Sequence, residues 1–328
     1  MSLAVGNRDN SGCIGECIAN TIGADVLRGN VQSDNERRDN HHSSAFDPNI
    51  WKTRNSVKPA EPCYSRRFPP ILVAGEGGLS EYLEGEFSAM NTAAVPVPVE
   101  DVQGDGRWMS QHNRFIAEAK EKEPEVLFVG DSLIMHMGNS EIWRQLFEPL
   151  HCMNFGIGGD QTQHVLWRVM NGELESMDPK IIVLLVGTNN HDHTAEQVVG
   201  GIQEIIKTMH DKQPQALVIV LGLLPRGEKP NPLREKLTQI NTSLSEYCEE
   251  VPNTIFFNTD WNLFLNRHDA SISHHDMYDY LHLTRQGYHK MCDPLLEEIQ
   301  NLLQTFVKVE NTSIETSSIA GELASDRP

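Results

Sequence analysis

The 328-residue chain has no apolar run long enough to cross a bilayer as a helix. Its first residues, MSLAVGNRDNSGCIGEC, have neither a basic n-region nor an adequate apolar h-region. No secretory leader is read there, and the protein is expected in the cytosol. Cysteines are few and scattered, at Cys13, Cys17, Cys63, Cys152, Cys248 and Cys292. That spacing excludes a dense disulfide framework, and Cys13 and Cys17 have no second pair with which to hold zinc. Basic charge is also short: 27 Lys and Arg face 46 Asp and Glu, a net charge of -19. A broad basic face for nucleic acid or an anionic membrane is therefore excluded, whereas a basic protein partner is compatible. The first 95 residues are close to charge balance, so the acidity belongs to the remainder. Two familiar signatures fail as well. Ile134 stands where the nucleophile elbow G-x-S-x-G needs its last glycine, and Gln161 stands where a dinucleotide fingerprint beginning at Gly156 needs its third.

What is present begins at about residue 96. Residues 1–95 lack sustained periodicity and contain segments such as NERRDNHHSS and GEGG, which predicts a disordered extension. The tail 309–328 reads the same way. Between them, with 39% hydrophobic content overall, apolar runs alternate with amphipathic stretches. Strands are predicted at 126–129, over HCMNF, at 181–186, over ALVIVLGLLP and over TIFFN. Runs apolar on both faces suit only central parallel strands. Helices are predicted over RWMSQHNRFIAEAKEK, anchored by Trp108, Phe115 and Ile116, over SEIWRQLF, capped by Asn139 or Ser140, and over QTQHVLWRVMNGEL. Further on, the capping box Thr194-x-x-Gln197 opens one helix, prolines open NPLREKLTQINTSLSEYCEE, and Thr284 opens a last helix to about Phe306. Trp143, Phe147 and Trp167 fall at core spacing. Five strands with helical crossovers predict a three-layer, doubly wound α/β sandwich with a parallel sheet of the flavodoxin-like kind.

Three strand ends carry unusual turns: GDSL at 130–133, NFGIGGD at 154–160 and GTNN at 187–190. Open parallel sheets bind ligands at those ends. A serine hydroxyl is a weak nucleophile at neutral pH, so it needs a base, an acid that orients the base, and donors for an oxyanion. Ser132 is the candidate nucleophile. Asp279 and His282 stand three residues apart, close enough for the carboxylate to orient the imidazole, and are the candidate acid and base. The N–H groups of Ser132 and Gly159 and the side-chain amide of Asn189 are the candidate oxyanion donors. Glycine at 159 is expected because a Cβ would obstruct the approach. Asp131 is read as the residue that shapes the turn. His191 and His193 flank Asp192 without a placed third or fourth ligand, so they are read as loop residues, and neither metal nor cofactor is expected.

In this order the blocks GDS, GIGGD, GTNN and D-x-x-H resemble those of the GDSL or SGNH hydrolase superfamily. Longer strings, among them RWMSQHNRF, HVLWR, VGTNNH, VLGLLPRGEKPNPLR and HDMYDYLHLT, resemble the catalytic α subunits of intracellular platelet-activating factor acetylhydrolase, type I, over about residues 90–306. Residues 1–89 have no recognised counterpart there, which makes Met90 an alternative start, and the loop 260–275 diverges from the family pattern. The resemblance implies that Ser132 is the nucleophile, Gly159 and Asn189 its oxyanion residues, and Asp279 and His282 its acid and base. It further implies that Leu133, Thr188 and Leu281 narrow the acyl pocket to acetyl, and that the substrate is an acetylated phospholipid such as platelet-activating factor. A homodimer or heterodimer of catalytic subunits, bound to a β-propeller regulatory subunit of the Lis1 type, is implied as well. Two other readings suit the same residues: a dimeric scaffold acting mainly through that propeller, and an esterase for another acetyl ester or a carbohydrate acetate.

Overall fold

The structure, a computed structural model, describes residues 91–325, with side-chain surroundings for residues 91–308. The expected disordered extension as far as residue 90, with Met90, Cys13, Cys17 and Cys63, lies outside the described residues.

Among the described residues the apolar runs form five short strands. They are β1 Val126–Gly130, β2 Cys152–Gly156, β3 Ile181–Leu185, β4 Leu217–Leu221 and β5 Thr254–Phe257. Each neighbouring pair is parallel, in the order β2-β1-β3-β4-β5. β1, β3 and β4 are buried at every position, as runs apolar on both faces require, whereas β5 is an edge strand and only half-buried. The chain steps outward from β1 to β2 and then returns across β1 to β3. Right-handed crossovers in opposite directions place helices on both faces, and the reversal opens a crevice at the carboxyl ends of β1 and β3.

The helices are α1 Arg107–Glu121, α2 Ser132–Gly138, α3 Thr162–Arg168, α4 Ala195–Lys212, α5 Pro232–Glu250 and α6 Arg285–Ser325. Both halves of the capping box open α4: Thr194 Oγ1 accepts from Gln197 N, and Gln197 Oε1 accepts from Thr194 N. Its buried face carries Val198, Ile202, Ile205 and Ile206. α5 starts at Pro232 under an Asn231 cap. α1 buries His112, Phe115 and Ala119, leaving Trp108 and Ile116 half-buried. Trp143 and Phe147 meet Phe128 edge-on in the core, 5.2 and 5.4 Å between centroids. Among the described residues no helix is long and apolar enough to cross a membrane.

Several boundaries depart from expectation for local reasons. α2 begins at Ser132 itself, because the Asp131 carboxylate accepts from Leu133 N at 2.9 Å and caps it. SEIWRQLF is a wide π-type turn, Trp143–Phe147, continued by a tight one, Glu148–Leu150, that contains Pro149; Ser140 Oγ accepts from Trp143 N as expected of a cap. The next predicted helix divides after Arg168, since Gly172 adopts φ 110, outside helical space. The last helix does not stop near Phe306, and the tail expected to be unstructured is helical as far as Ser325. No proline interrupts that stretch, although its Val, Asn, Thr and Ser residues and Gly321 are weak helix formers.

Gly130 closes β1 where Leu185 O accepts from Asp131 N at 3.3 Å. An added Cβ would run into Leu185 O and Ile134 Cγ1. Gly130→Ala is expected to push β1 away from β3 and to lower stability by about 1–3 kcal/mol. The loss should appear as a lower urea midpoint at constant slope. A variant as stable as its parent would contradict this packing.

Candidate active site

Ser132 is the first residue of α2 and only 8% exposed. Its Oγ donates to His282 Nε2 at 2.9 Å, and His282 Nδ1 donates to Asp279 Oδ2 at 2.6 Å. Asp279 Oδ1 also accepts from the backbone N–H groups of His282 at 2.7 Å and Leu281 at 3.1 Å. Burial opposes the Asp279 charge, but the donors of His282 and Leu281 outweigh it and hold the carboxyl below its ordinary value. Tyr280, between acid and base, has φ 62. A non-glycine residue in left-handed space is a strained turn, and this one folds the carboxylate back on the imidazole. Two further rings touch His282: Tyr278 stacks at 5.8 Å and His136 tilts against it at 4.9 Å. His136 lies one helical turn beyond Ser132, on the same face, and burial followed by the charge of His282 pushes its pKa down.

Gly159 occupies the exposed turn after β2, and its N–H has no hydrogen-bond acceptor among the described residues. An added Cβ would meet nothing within 4 Å, while φ is 83. That backbone conformation by itself favours glycine there. The neighbouring Gly158 approaches Ser132, since a Cβ on it would lie 4.0 Å from Ser132 Cβ. Asn189 Nδ2 donates to Asp160 O at 2.9 Å, which leaves the second N–H of that amide. Leu133 and Thr188 are buried and Leu281 is half-buried. No hydrogen bond or ring contact among the described residues joins these three to one another. The loop histidine His193 is taken up by Thr92 Oγ1 at 3.0 Å and Asn190 Nδ2 at 3.2 Å.

Beneath these turns lies an ionic cluster that sequence reasoning missed. Arg168 is fully buried, donating to Asp160 Oδ2 at 2.8 Å, Glu173 Oε2 at 2.5 Å, Phe155 O at 3.1 Å and Gly130 O at 3.2 Å. Trp108 Nε1 donates to Asp160 Oδ1, and His112 Nδ1 to Glu173 Oε1. Burial disfavours the guanidinium charge, but the two carboxylates more than compensate and raise its pKa. The available signal was one charge inside the apolar stripe of HVLWRV. His136 was missed because Ser132 was assigned to a turn; starting a helix there puts His136 four residues on. Asp131 is also fully buried: one oxygen caps α2, Oδ2 has no hydrogen-bond partner among the described residues, and burial pushes the carboxyl up to about 7.

The model of the GDSL-like Lipase/Acylhydrolase family matches residues 128–290. The chain is 55% identical over 224 residues to platelet-activating factor acetylhydrolase IB subunit alpha2 of Homo sapiens, covering 68% of this chain and 97% of that protein. It is 58% identical over 213 residues to the human alpha1 subunit, covering 65% and 91%. The chain belongs to the platelet-activating factor acetylhydrolase IB alpha-subunit family. As a member of that family it is a carboxylic ester hydrolase. A GDSL-like lipase from Bacteroides thetaiotaomicron shares the fold, with a TM-score of 0.50 at 19% identity, covering 58% of this chain and 97% of the other.

Two outcomes test this foundation of the acetylhydrolase-family site. Arg168→Met leaves Asp160 and Glu173 buried without their cation and is expected to cost about 3–5 kcal/mol in chemical denaturation. For Asp131, the unfolded chain releases the proton near 3.8 and the folded one only near 7. Native stability therefore falls as pH rises from about 4 to about 7 and levels off above that. Asp131→Asn keeps an acceptor for Leu133 N but does not titrate, so its stability advantage should open across that window. A gap independent of pH would overturn the reading of Asp131 as a buried acid.

Proposed function

We propose that the chain is a serine esterase that removes a short acyl group, acetyl, from a phospholipid such as platelet-activating factor. One observation carries the reading: Ser132 Oγ, the two nitrogens of His282 and Asp279 Oδ2 form one hydrogen-bonded line, beside the turns that bear Gly159 and Asn189. Ser132 Oγ attacks the ester carbonyl carbon as His282 Nε2 takes the hydroxyl proton. Asp279 holds the imidazole tautomer and favours the imidazolium that results. The carbonyl oxygen becomes an oxyanion, to which the N–H groups of Ser132 and Gly159 and the second amide N–H of Asn189 donate. Collapse breaks the bond to the alcohol, His282 returns the proton to it, and acetyl remains on Ser132. Water, deprotonated by His282, then attacks the acyl-enzyme and releases acetate. No metal or cofactor enters this sequence.

Leu133, Thr188 and Leu281 are assigned to the acyl side, where a few extra methylenes would overfill a rigid pocket. The bulky alcohol stays outside. The relatives' name carries platelet-activating factor, which supports the substrate class. They are named as subunits, which supports assembly with other chains; the assembly proposed is a homodimer or heterodimer of catalytic chains with a β-propeller of the Lis1 type as regulatory partner. Free, buried Cys152, Cys248 and Cys292 suit a cytosolic setting.

The decisive experiment is fluorophosphonate labelling of the purified chain with peptide mapping, followed by hydrolysis of acetyl and longer acyl esters. Ser132 should carry the label, acetyl should be preferred, and Ser132→Ala should lower kcat by about 10⁴-fold or more. An unlabelled Ser132 would sink the proposal.

A further inference from the structure

The turn that bears Asn189 is held in an unusual way. Each of the four carbonyls from residue 188 to residue 191 accepts from a side chain outside the turn. Thr188 O accepts from Arg226 Nη1 at 2.7 Å, and Thr188 Oγ1 lies 3.2 Å from the same nitrogen. Asn189 O accepts from Gln161 Nε2 at 2.9 Å. Asn190 O accepts from Lys236 Nζ at 2.7 Å, and His191 O from the same ammonium at 3.4 Å. Thr188 and Asn190 are buried, so their carbonyls need partners within the protein. Here two of the three donors are cations, brought from separate elements, Arg226 from the loop after β4 and Lys236 from α5.

Neither cation is neutralised in the usual way. Both are half-buried, and among the described residues no carboxylate lies within ion-pair distance of either. Burial lowers both pKa values; Asp131 and Asp279 act against this at Arg226, and Asp192 does so at Lys236. In a chain of net charge -19, two half-buried cations committed to carbonyls are expensive, and their common target is the turn beside the nucleophile. The Arg226 loop also reaches the opposite wall of the site. Gly227 N donates to Tyr280 O at 2.8 Å, in the middle of the turn that sets Asp279 against His282. Arg226 O is itself fixed by Asn231 Nδ2 at 2.9 Å and Arg234 Nε at 3.1 Å.

We propose that Arg226 and Lys236 are positioning residues that clamp the carbonyls on either side of Asn189, so that its amide N–H is aimed at the developing oxyanion before substrate arrives. Donors that are already oriented stabilise charge without reorganising during reaction, so the benefit falls on the transition state and not on substrate binding. The inference rests on the assignment of Asn189 as an oxyanion donor.

The test is a double-mutant cycle in the full chain, with 4-nitrophenyl acetate as probe and thermal unfolding as the control for folding. Arg226→Met and Lys236→Met are each expected to lower kcat and kcat/KM together, by about 10- to 100-fold, with KM little changed. Lys236→Arg, which keeps a cationic donor, should recover most of the loss. In an Asn189→Ala background the same substitutions should cost less than about threefold, because no amide remains to be aimed. A merely structural clamp would cost as much in both backgrounds, and that result would overturn the proposal. So would clamp variants that keep full kcat while Asn189→Ala loses about 10²-fold, in which case the oxyanion assignment stands alone. If Asn189→Ala is itself nearly silent although Ser132 takes the fluorophosphonate, the assignment of Asn189 fails and the clamp falls with it. Should Arg226→Met fail to fold, Lys236→Met at a half-exposed position of α5 decides.

Discussion

The buried guanidinium of Arg168 is the constraint on which the rest of the site depends. It fixes the carbonyl at the end of β1, the carbonyl of Phe155 on β2, and Asp160, whose own backbone oxygen receives the Asn189 amide. Three turns that diverge in sequence are thereby referred to one charge. Such a cluster is weak as a source of stability, because desolvating three ions offsets most of their attraction. Its value lies in geometry: the polar groups of Arg168, Asp160 and Glu173 are satisfied only when the strand ends stand in this register. An apolar substitute would fill the space without distinguishing that register from its neighbours.

Above this base, two aspartates of the same type do opposite things because their surroundings differ. Asp131 is buried with one oxygen unpaired, so its neutral form is favoured and its carboxyl rises to about 7. Asp279 accepts three hydrogen bonds at the rim, so its charged form is favoured and its pKa falls. Environment alone separates the capping residue from the one that orients an imidazole, the general way in which paired carboxylates acquire distinct roles.

The two walls of the crevice are also tied to each other. The loop after β4 reaches Thr188 through Arg226 and Tyr280 through Gly227, so the amide-bearing turn and the acid–base turn share a support. Acyl transfer requires nucleophile, base and oxyanion donors to be correct simultaneously, and independent mobile loops would meet that demand poorly. The strained backbone of Tyr280 persists under the same support.

Much was legible in the residues alone. Apolar runs in β1, β3 and β4, the capping box of α4 and the Pro-entered α5 specify their own structure locally, which is why the parallel sheet and its crossovers followed from the sequence. Ser132, Asp279 and His282 were legible too, because each sits on a recognisable short motif at a strand end or turn. The helix start at Ser132 was not, since it turns on whether Asp131 caps or merely turns. Nor was the left-handed backbone of Gly159, which its letter permits but does not specify. Arg168, His136, Arg226 and Lys236 carry no local mark: an arginine buried by two carboxylates and one lying on a carbonyl look alike in a string. Local propensity and patterning decided the elements. Only tertiary packing, which sets distances between residues up to 155 positions apart, decided which polar groups meet.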